Sequence, residues 1–198
     1  MRWRLIGPAR HRRVPWRNGQ GVTTEIAVDP PQAGAGERFR WRLSLAEVGQ
    51  SGPFSDFAGY DRVITLIEGN GMVLRFDAAP EQRIEQCFEP FGFDGGWRTD
   101  CELIDGPIRD FNVMVDRELY DARVEMLAKG LRRPRIGGNA VDLLHAFAPA
   151  ILGGPGWRGP RALGAGDTLI IEGEGGEELE LDIRAHGFIL ATRLMPRG

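Results

Sequence analysis

The sequence predicts an all-β protein, a barrel or sandwich of short antiparallel strands, and three observations carry that reading. Short runs rich in Val, Ile, Thr, Phe and Trp recur along the chain, several alternating apolar with polar residues at the period of a strand. The 28 glycines and 13 prolines are scattered between those runs, which suits many turns and argues against one disordered linker. Helical periodicity is scarce. Its best segment, residues 116–128, holds Leu119, Val124, Met126 and Leu127 only loosely at helical spacing and would serve equally as sheet.

Taken in order, Thr24-Glu25-Ile26-Ala27-Val28 reads as a short strand closed by Asp29-Pro30-Pro31, and residues 33–36 as a flexible loop. Residues 39–48 alternate, with Phe39, Trp41, Leu43 and Leu45 facing one way and Arg40, Arg42, Ser44 and Ala46 the other. Residues 49–59 form a loop in which Phe54 and Phe57 pack locally. Residues 62–68 and 72–76 flank Gly69-Asn70-Gly71, a turn that accepts positive φ and predicts a hairpin. Residues 89–95 give a further strand and turn. After the opening Asp105-Gly106-Pro107, residues 108–115 read as a strand. Strands are also expected over 141–147, 167–173, 179–183 and 187–194. The runs at 62–69 and 167–173 echo one another, each apolar and closed by Glu-Gly.

At 198 residues the chain can hold one large domain or two small β-domains. Its net charge of -3 exerts no general pull on nucleic acid. The distribution is uneven: residues 1–17 carry six arginines and no acid, whereas residues 167–182 carry seven acids and no base. No recognition motif accompanies the basic end, so these read as solvated surfaces that can face each other, and no nucleic-acid partner is expected. The first residues lack a signal-peptide core and no span approaches transmembrane length, which points to the cytoplasm and no membrane partner. Cys87 and Cys101 are then expected reduced.

The common catalytic and metal motifs are missing. His11, His145 and His186 have no second histidine or cysteine at ligand spacing, so neither a metal nor another cofactor is expected. There is no Gly-x-Ser-x-Gly elbow and no phosphate loop, and Gly19-Gln20-Gly21 lacks the preceding strand of a dinucleotide fingerprint. No catalytic residue is assigned. What remains is a set of polar residues in apolar or turn-forming segments. On the strand 108–115, Ile108, Asp110, Asn112 and Met114 share one face, and neither face is cleanly polar. If that face points inward, Asp110 and Asn112 mark either an internal hydrogen-bond network or a ligand site. Arg62, at the start of an apolar strand, can pair with a neighbouring acid such as Asp110 or with an anionic ligand. Asn18 sits in a turn beside Trp16, in a loop that can cross a barrel mouth.

Four ordered blocks between residues 13 and 117 carry a family resemblance. They are Pro15-Trp16-Arg17-Asn18-Gly19-Gln20-Gly21 with Thr23-Thr24-Glu25-Ile26; residues 39–48; Gly52-Pro53-Phe54-Ser55 with Gly59-Tyr60-Asp61-Arg62; and Asp105-Gly106-Pro107 with Asp110-Phe111-Asn112-Val113-Met114. In these the chain resembles the HutD/Ves family, with Arg17 and Gln20 where lysine and glycine are common. The resemblance implies a bicupin, two small jelly-roll-like β-barrels without the usual metal-binding histidines. The N-terminal barrel is then placed at residues 1–125 and the C-terminal one at 126–198, with strands open to exchange between them. It also implies a link to histidine utilisation or to stress responses.

The expected function is metal-independent binding of a small anionic metabolite, such as urocanate or N-formylglutamate, that modulates such a pathway. The expected ligand-binding residues are Asn18, Glu25, Trp41, Arg62, Asp110 and Asn112. Arg62 would pair with the ligand carboxylate, Asp110 would orient Arg62, and Trp41 and Phe39 would wall the pocket. Two rivals stay open. One is a metal-free isomerase or lyase using Asp110 or Glu25 as base. The other is an interaction protein that applies its arginine-rich start to an acidic partner. Exposed barrel edges add the expectation of a homodimer.

Overall fold

The computed structural model describes residues 1–16, 19, 21–31, 37–128, 135–173, 175, 178–185 and 188–198. Among them, every regular element is a strand except one 3-10 turn at Pro8–Arg10. Among the described residues, no helix is long and apolar enough to cross a membrane. The chain divides into two compact units, His11–Tyr120 on one side and Met1–Arg10 with Asp121–Gly198 on the other. Strand β1 (Arg2–Ile6) therefore belongs to the second unit, although the expected boundary at 125/126 grouped it with the first.

The first unit contains β2 (Arg12–Pro15), β3 (Gly21–Asp29), β4 (Trp41–Val48), β5 (Gly52–Pro53) and β6 (Tyr60–Glu68). It continues with β7 (Met72–Phe76), β8 (Gln82–Ile84), β9 (Pro90–Asp94), β10 (Thr99–Leu103) and β11 (Ile108–Asp116). Two sheets result, ordered β2-β3-β4-β11-β6-β9 and β5-β10-β7-β8. Ala46, Val48, Ile64, Leu66 and Ile108 of the larger sheet pack with Met72, Leu74, Ile84 and Cys101 of the smaller to fill the barrel. Burial of these apolar side chains supplies the main driving force. Cys87 and Cys101 are free thiols.

The turn 69–71 does not close the expected hairpin. β6 and β7 lie in different sheets, and the chain crosses between them. Gly69 and Gly71 have φ of +101° and +112°, and a Cβ on Gly71 would stand 2.5 Å from the Ile84 carbonyl oxygen. The turn chemistry was legible, but positive φ at two glycines fits a passage between sheets as well as a reversal within one.

The second unit holds β12 (Tyr120–Ala128), β13 (Arg135–Gly137), β14 (Val141–Ala146), β15 (Ala150–Gly153) and β16 (Arg161–Leu163). The last strands are β17 (Thr168–Glu172), β18 (Glu178–Glu180), β19 (Asp182–Ala185) and β20 (Phe188–Pro196). The segment with loose helical spacing is thus the strand β12, at the edge of a sheet ordered β1-β17-β14-β20-β12. Smaller sheets β16-β15-β19 and β13-β18 complete this unit. Its core is apolar, with Leu144, Ala146, Leu152, Leu163, Leu169, Ile171, Leu181 and Ile189 at its centre.

Candidate functional site

Strand β11 lies between β4 and β6, and its register decides which side chains enter the barrel. Asp110 stands opposite Ala46 and Leu66, Asn112 opposite Ser44 and Ile64, and Met114 opposite Arg42 and Arg62. Directly opposed residues of antiparallel strands share a face. Ala46, Ile64 and Leu66 belong to the barrel core, so Asp110, Asn112, Arg62 and Arg42 all project inward. The other face of β11, Phe111, Val113 and Val115, is buried too, which explains why neither face was cleanly polar in sequence.

The three central polar side chains form a row. Arg62 Nη2 donates to Asn112 Oδ1 at 3.0 Å, and the Asn112 amide donates in turn to Asp110 Oδ1 in a close contact. Arg62, Asp110 and Asn112 are 5%, 1% and 5% exposed. The guanidinium is ringed by Phe93, Phe54 and Phe57, with ring centres 4.9, 5.3 and 5.7 Å from its Cζ. Gly95 closes over the stem, where a Cβ would come within 3.2 Å of Arg62 Cδ. Among the described residues, two polar atoms of the row have no hydrogen-bond partner: Arg62 Nε and Asp110 Oδ2. Unsatisfied buried groups of this kind are rare and costly, and they call for an explanation.

Burial sets the protonation behaviour of the row. It pushes the Arg62 guanidinium down to about 10, with the Asp110 charge pulling upward and the Arg42 charge pushing further down. It pushes the Asp110 carboxyl up to about 7 against the opposing pull of Arg62. Desolvation therefore outweighs attraction for both members, since the pair meets only through the Asn112 amide. The nearby Cys101 thiol is raised to about 12 by burial and by the Asp110 charge.

The other expected residues fare differently. Glu25 is opposite Ser44 and so shares the inner face, but its carboxylate is engaged by Arg12 at 3.1 Å. Trp41 is opposite Val115 and lies on the other face of the sheet, away from Arg62, so it does not wall this site. Its run 39–48 alternates as expected, but the polar-looking side of β4 is the one that enters the barrel. Phe39 does reach the inner end, 4.9 Å beneath the Arg42 guanidinium. Asn18 lies outside the described residues, as do Arg17, Gln20, residues 33–36 and His186. Trp16 is visible beside them, its indole Nε1 donating to Thr23 Oγ1 at 2.8 Å.

Sequence reasoning did not single out Arg42, which it placed only on the strand face opposite Trp41. Only the register shows its place, because Met114 has an arginine opposite it on each neighbouring strand. A groove of about 440 Å³ opens where Gly21, Val48 and Ile108 are opposed, one inner-face position beyond Asp110. Glu47, Glu68 and Arg109 line it, with Arg109 paired to Glu68 at 3.0 Å. Among the described residues, no three His, Cys, Asp or Glu side chains converge as a metal site.

Two antiparallel β-barrel units in one chain make this an all-β protein of cupin-like fold. An oxalate decarboxylase variant from Bacillus subtilis shares the fold alone, with a TM-score of 0.66 at 6% identity over 96% of this chain and 76% of that one. The family is more specific: the HutD family model matches residues 8–191, and the chain belongs to that family. It is 37% identical over 185 residues to an uncharacterised 21.2 kDa protein in the hutC 3′ region of Pseudomonas putida, covering 93% of each chain. It is 34% identical over 130 residues to the protein Ves of Cronobacter sakazakii, covering 65% of this chain and 69% of that one. HutD from Pseudomonas fluorescens SBW25, solved in a formate condition, superposes with a TM-score of 0.80 at 36% identity over 100% of both chains.

Proposed function

We propose that the chain binds a small anionic metabolite inside its His11–Tyr120 barrel, without a metal, and modulates histidine utilisation or a related catabolic or stress pathway. The observation that carries this reading is the state of Arg62. Among the described residues, this buried guanidinium stands amid three phenyl rings with no carboxylate in hydrogen-bond contact and with Nε unsatisfied. A ligand carboxylate would satisfy that donor. Asp110 Oδ2, the second orphan, asks for an N–H on the same ligand. Urocanate, with a carboxylate and an imidazole N–H, meets both demands, as does N-formylglutamate with its formamide N–H. The hut-linked names among its relatives support the pathway.

Calorimetric titration with the two acids tests the reading. Arg62→Met keeps the stem and removes the charge, and a charge-assisted hydrogen bond contributes about 1.5–3 kcal/mol. Binding is therefore expected to weaken by about 10- to 100-fold in that variant. Absence of binding at millimolar ligand, or an unchanged affinity in Arg62→Met, overturns it.

One observation favours a second reading, a metal-free isomerase or lyase. A carboxyl that titrates near 7 is suited to act as a general base at neutral pH. In that case Asp110→Asn abolishes turnover of the bound acid while binding persists. A sensor shows no turnover in either form.

A further inference from the structure

At the ends of β4 and β11 the sheet carries two opposite charges that face each other and do not pair. Glu47 stands directly opposite Arg109. Cross-strand neighbours of opposite sign attract one another. Among the described residues these two turn apart instead: Glu47 is held by Arg13 at 3.1 Å and Arg109 by Glu68 at 3.0 Å. All four side chains are exposed, so the two outward pairs contribute little to stability. The Arg109 Nε is nevertheless buried and, among the described residues, has no hydrogen-bond partner.

The backbone leaves room beside these charges. The register of β11 against β6 shifts between Arg109 and Asp110, and irregularities of this kind re-aim a side chain next to a functional site. Glu47 and Arg109 both line the groove of about 440 Å³, a volume in the range of small-molecule sites. Val48 and Ile108, each 2% exposed, and Val22 give the groove an apolar lining. Its wall is bare at Gly21, where a Cβ would stand 2.5 Å from the Glu47 carbonyl oxygen and 2.9 Å from the Trp16 ring.

We infer that this groove is a second binding site, apart from the Arg62 row, and that it takes a free α-amino acid with an apolar side chain. The ligand ammonium donates to the Glu47 carboxylate, the ligand carboxylate accepts from Arg109 Nε, and the side chain covers Val48 and Ile108. The spacing fits, because directly opposed residues of antiparallel strands hold their Cβ atoms about 4.5–5.5 Å apart and an α-amino acid carries both charges on one carbon. Neither existing pair has to break. Arg109 meets Glu68 through Nη1, and Arg13 reaches both Glu47 oxygens through Nη2 alone. A simple amine or a simple acid meets only half of the site.

The test is equilibrium dialysis of the full chain with radiolabelled L-leucine, followed by displacement with two analogues. One is 4-methylpentanoate, which lacks the ammonium group; the other is L-leucinamide, which lacks the carboxylate and stands for a peptide N-terminus. L-leucine is expected to bind at millimolar concentration or below. Each analogue should displace it only at concentrations at least about tenfold higher than unlabelled L-leucine requires, the effect of one lost charge-assisted hydrogen bond. Glu47→Gln and Arg109→Met should each weaken L-leucine by a similar factor. Glu47→Gln keeps the side chain's size at an exposed position, and an unchanged urea midpoint separates its loss of binding from a loss of fold. L-leucine that fails to bind at millimolar concentration overturns the inference. An analogue that displaces the label as well as L-leucine itself does so too. An affinity that Glu47→Gln leaves unaltered also overturns it, since the amino acid would then be held by its carboxylate alone. None of these outcomes bears on the Arg62 site, whose test uses acids without an ammonium group.

Discussion

Asp110 combines full burial with a neighbouring cation that it does not touch, and its effect on stability follows from that. In an unfolded chain an aspartate ionises near 3.9, whereas here the carboxyl holds its proton up to about 7. Between those values the native state binds a proton that the unfolded chain has released, so stability falls as pH rises from about 4 to about 7. Above 7 this residue adds no further slope. Asp142 in the second unit is raised to about 6 by burial, against the Gly137 N–H and Arg193, and adds to the lower part of the same slope. Urea unfolding at pH 5, 6.5 and 8 should show a loss on the order of 2–4 kcal/mol across the range. Asp110→Asn should flatten it, leaving only the portion below about 6; an unaltered slope would count against a titrating Asp110. At this scale the sequence was informative about which residues matter and less so about how they meet. The pair Asp110 and Asn112 was legible because a strand with polar residues at alternate positions stood between apolar ones. That Arg62 reaches Asp110 only through Asn112 was not, because Arg62 lies on another strand and its partner depends on cross-strand register.

Among the strands, β4 and the crossing after β6 show where pattern stops being enough. The alternation in residues 39–48 was real, yet the face with Arg42 and Ser44 lines the barrel while the face with Trp41 and Leu43 is buried on the other side of the sheet. The rule that apolar residues go inside cannot rank two faces when both are covered. The passage 69–71 makes a corresponding prediction. Gly71→Ala adds a Cβ 2.5 Å from the Ile84 carbonyl oxygen at a φ of +112°, so the β7–β8 edge must move or the turn must strain. Overpacking and a left-handed backbone together are expected to cost about 2–4 kcal/mol, read as a lower urea midpoint at unchanged slope. Gly59→Ala provides the contrast. It has a comparable positive φ but open space around its Cβ, so only the backbone cost of roughly 1 kcal/mol should appear. Equal losses in the two variants would show that crowding at Ile84 is not the reason for glycine at position 71.

For the whole chain, what matters is how the first ten residues join strands far along the sequence. β1 pairs with β17 in register from Arg2 opposite Glu172 to Ile6 opposite Thr168. This brings part of the basic start to part of the acidic segment, with Arg2 and Glu172 3.6 Å apart. The pairing covers β17, which would otherwise be the sheet's edge, and edges of that kind invite association. It also carries Ile6 into the core and sets Trp3 edge-on to Trp157, with ring centres 4.9 Å apart. Sequence reading missed β1 because its five residues hold two arginines and show no turn signal, so only a partner more than 160 positions away identifies it as a strand. Removing residues 1–10 should therefore act on the second unit. Burying one such apolar side chain contributes about 1.5–3 kcal/mol, and both Ile6 and Trp3 are lost. Hydrogen exchange should accelerate across Thr168–Glu172, whose amides lose partners, while Ile108–Asp116 keeps its protection because β4 and β6 still flank it. Size-exclusion chromatography should show concentration-dependent association through the exposed β17 edge. If Thr168–Glu172 stays as protected as in the full chain, β1 is a passenger on that sheet and the second unit stands without it.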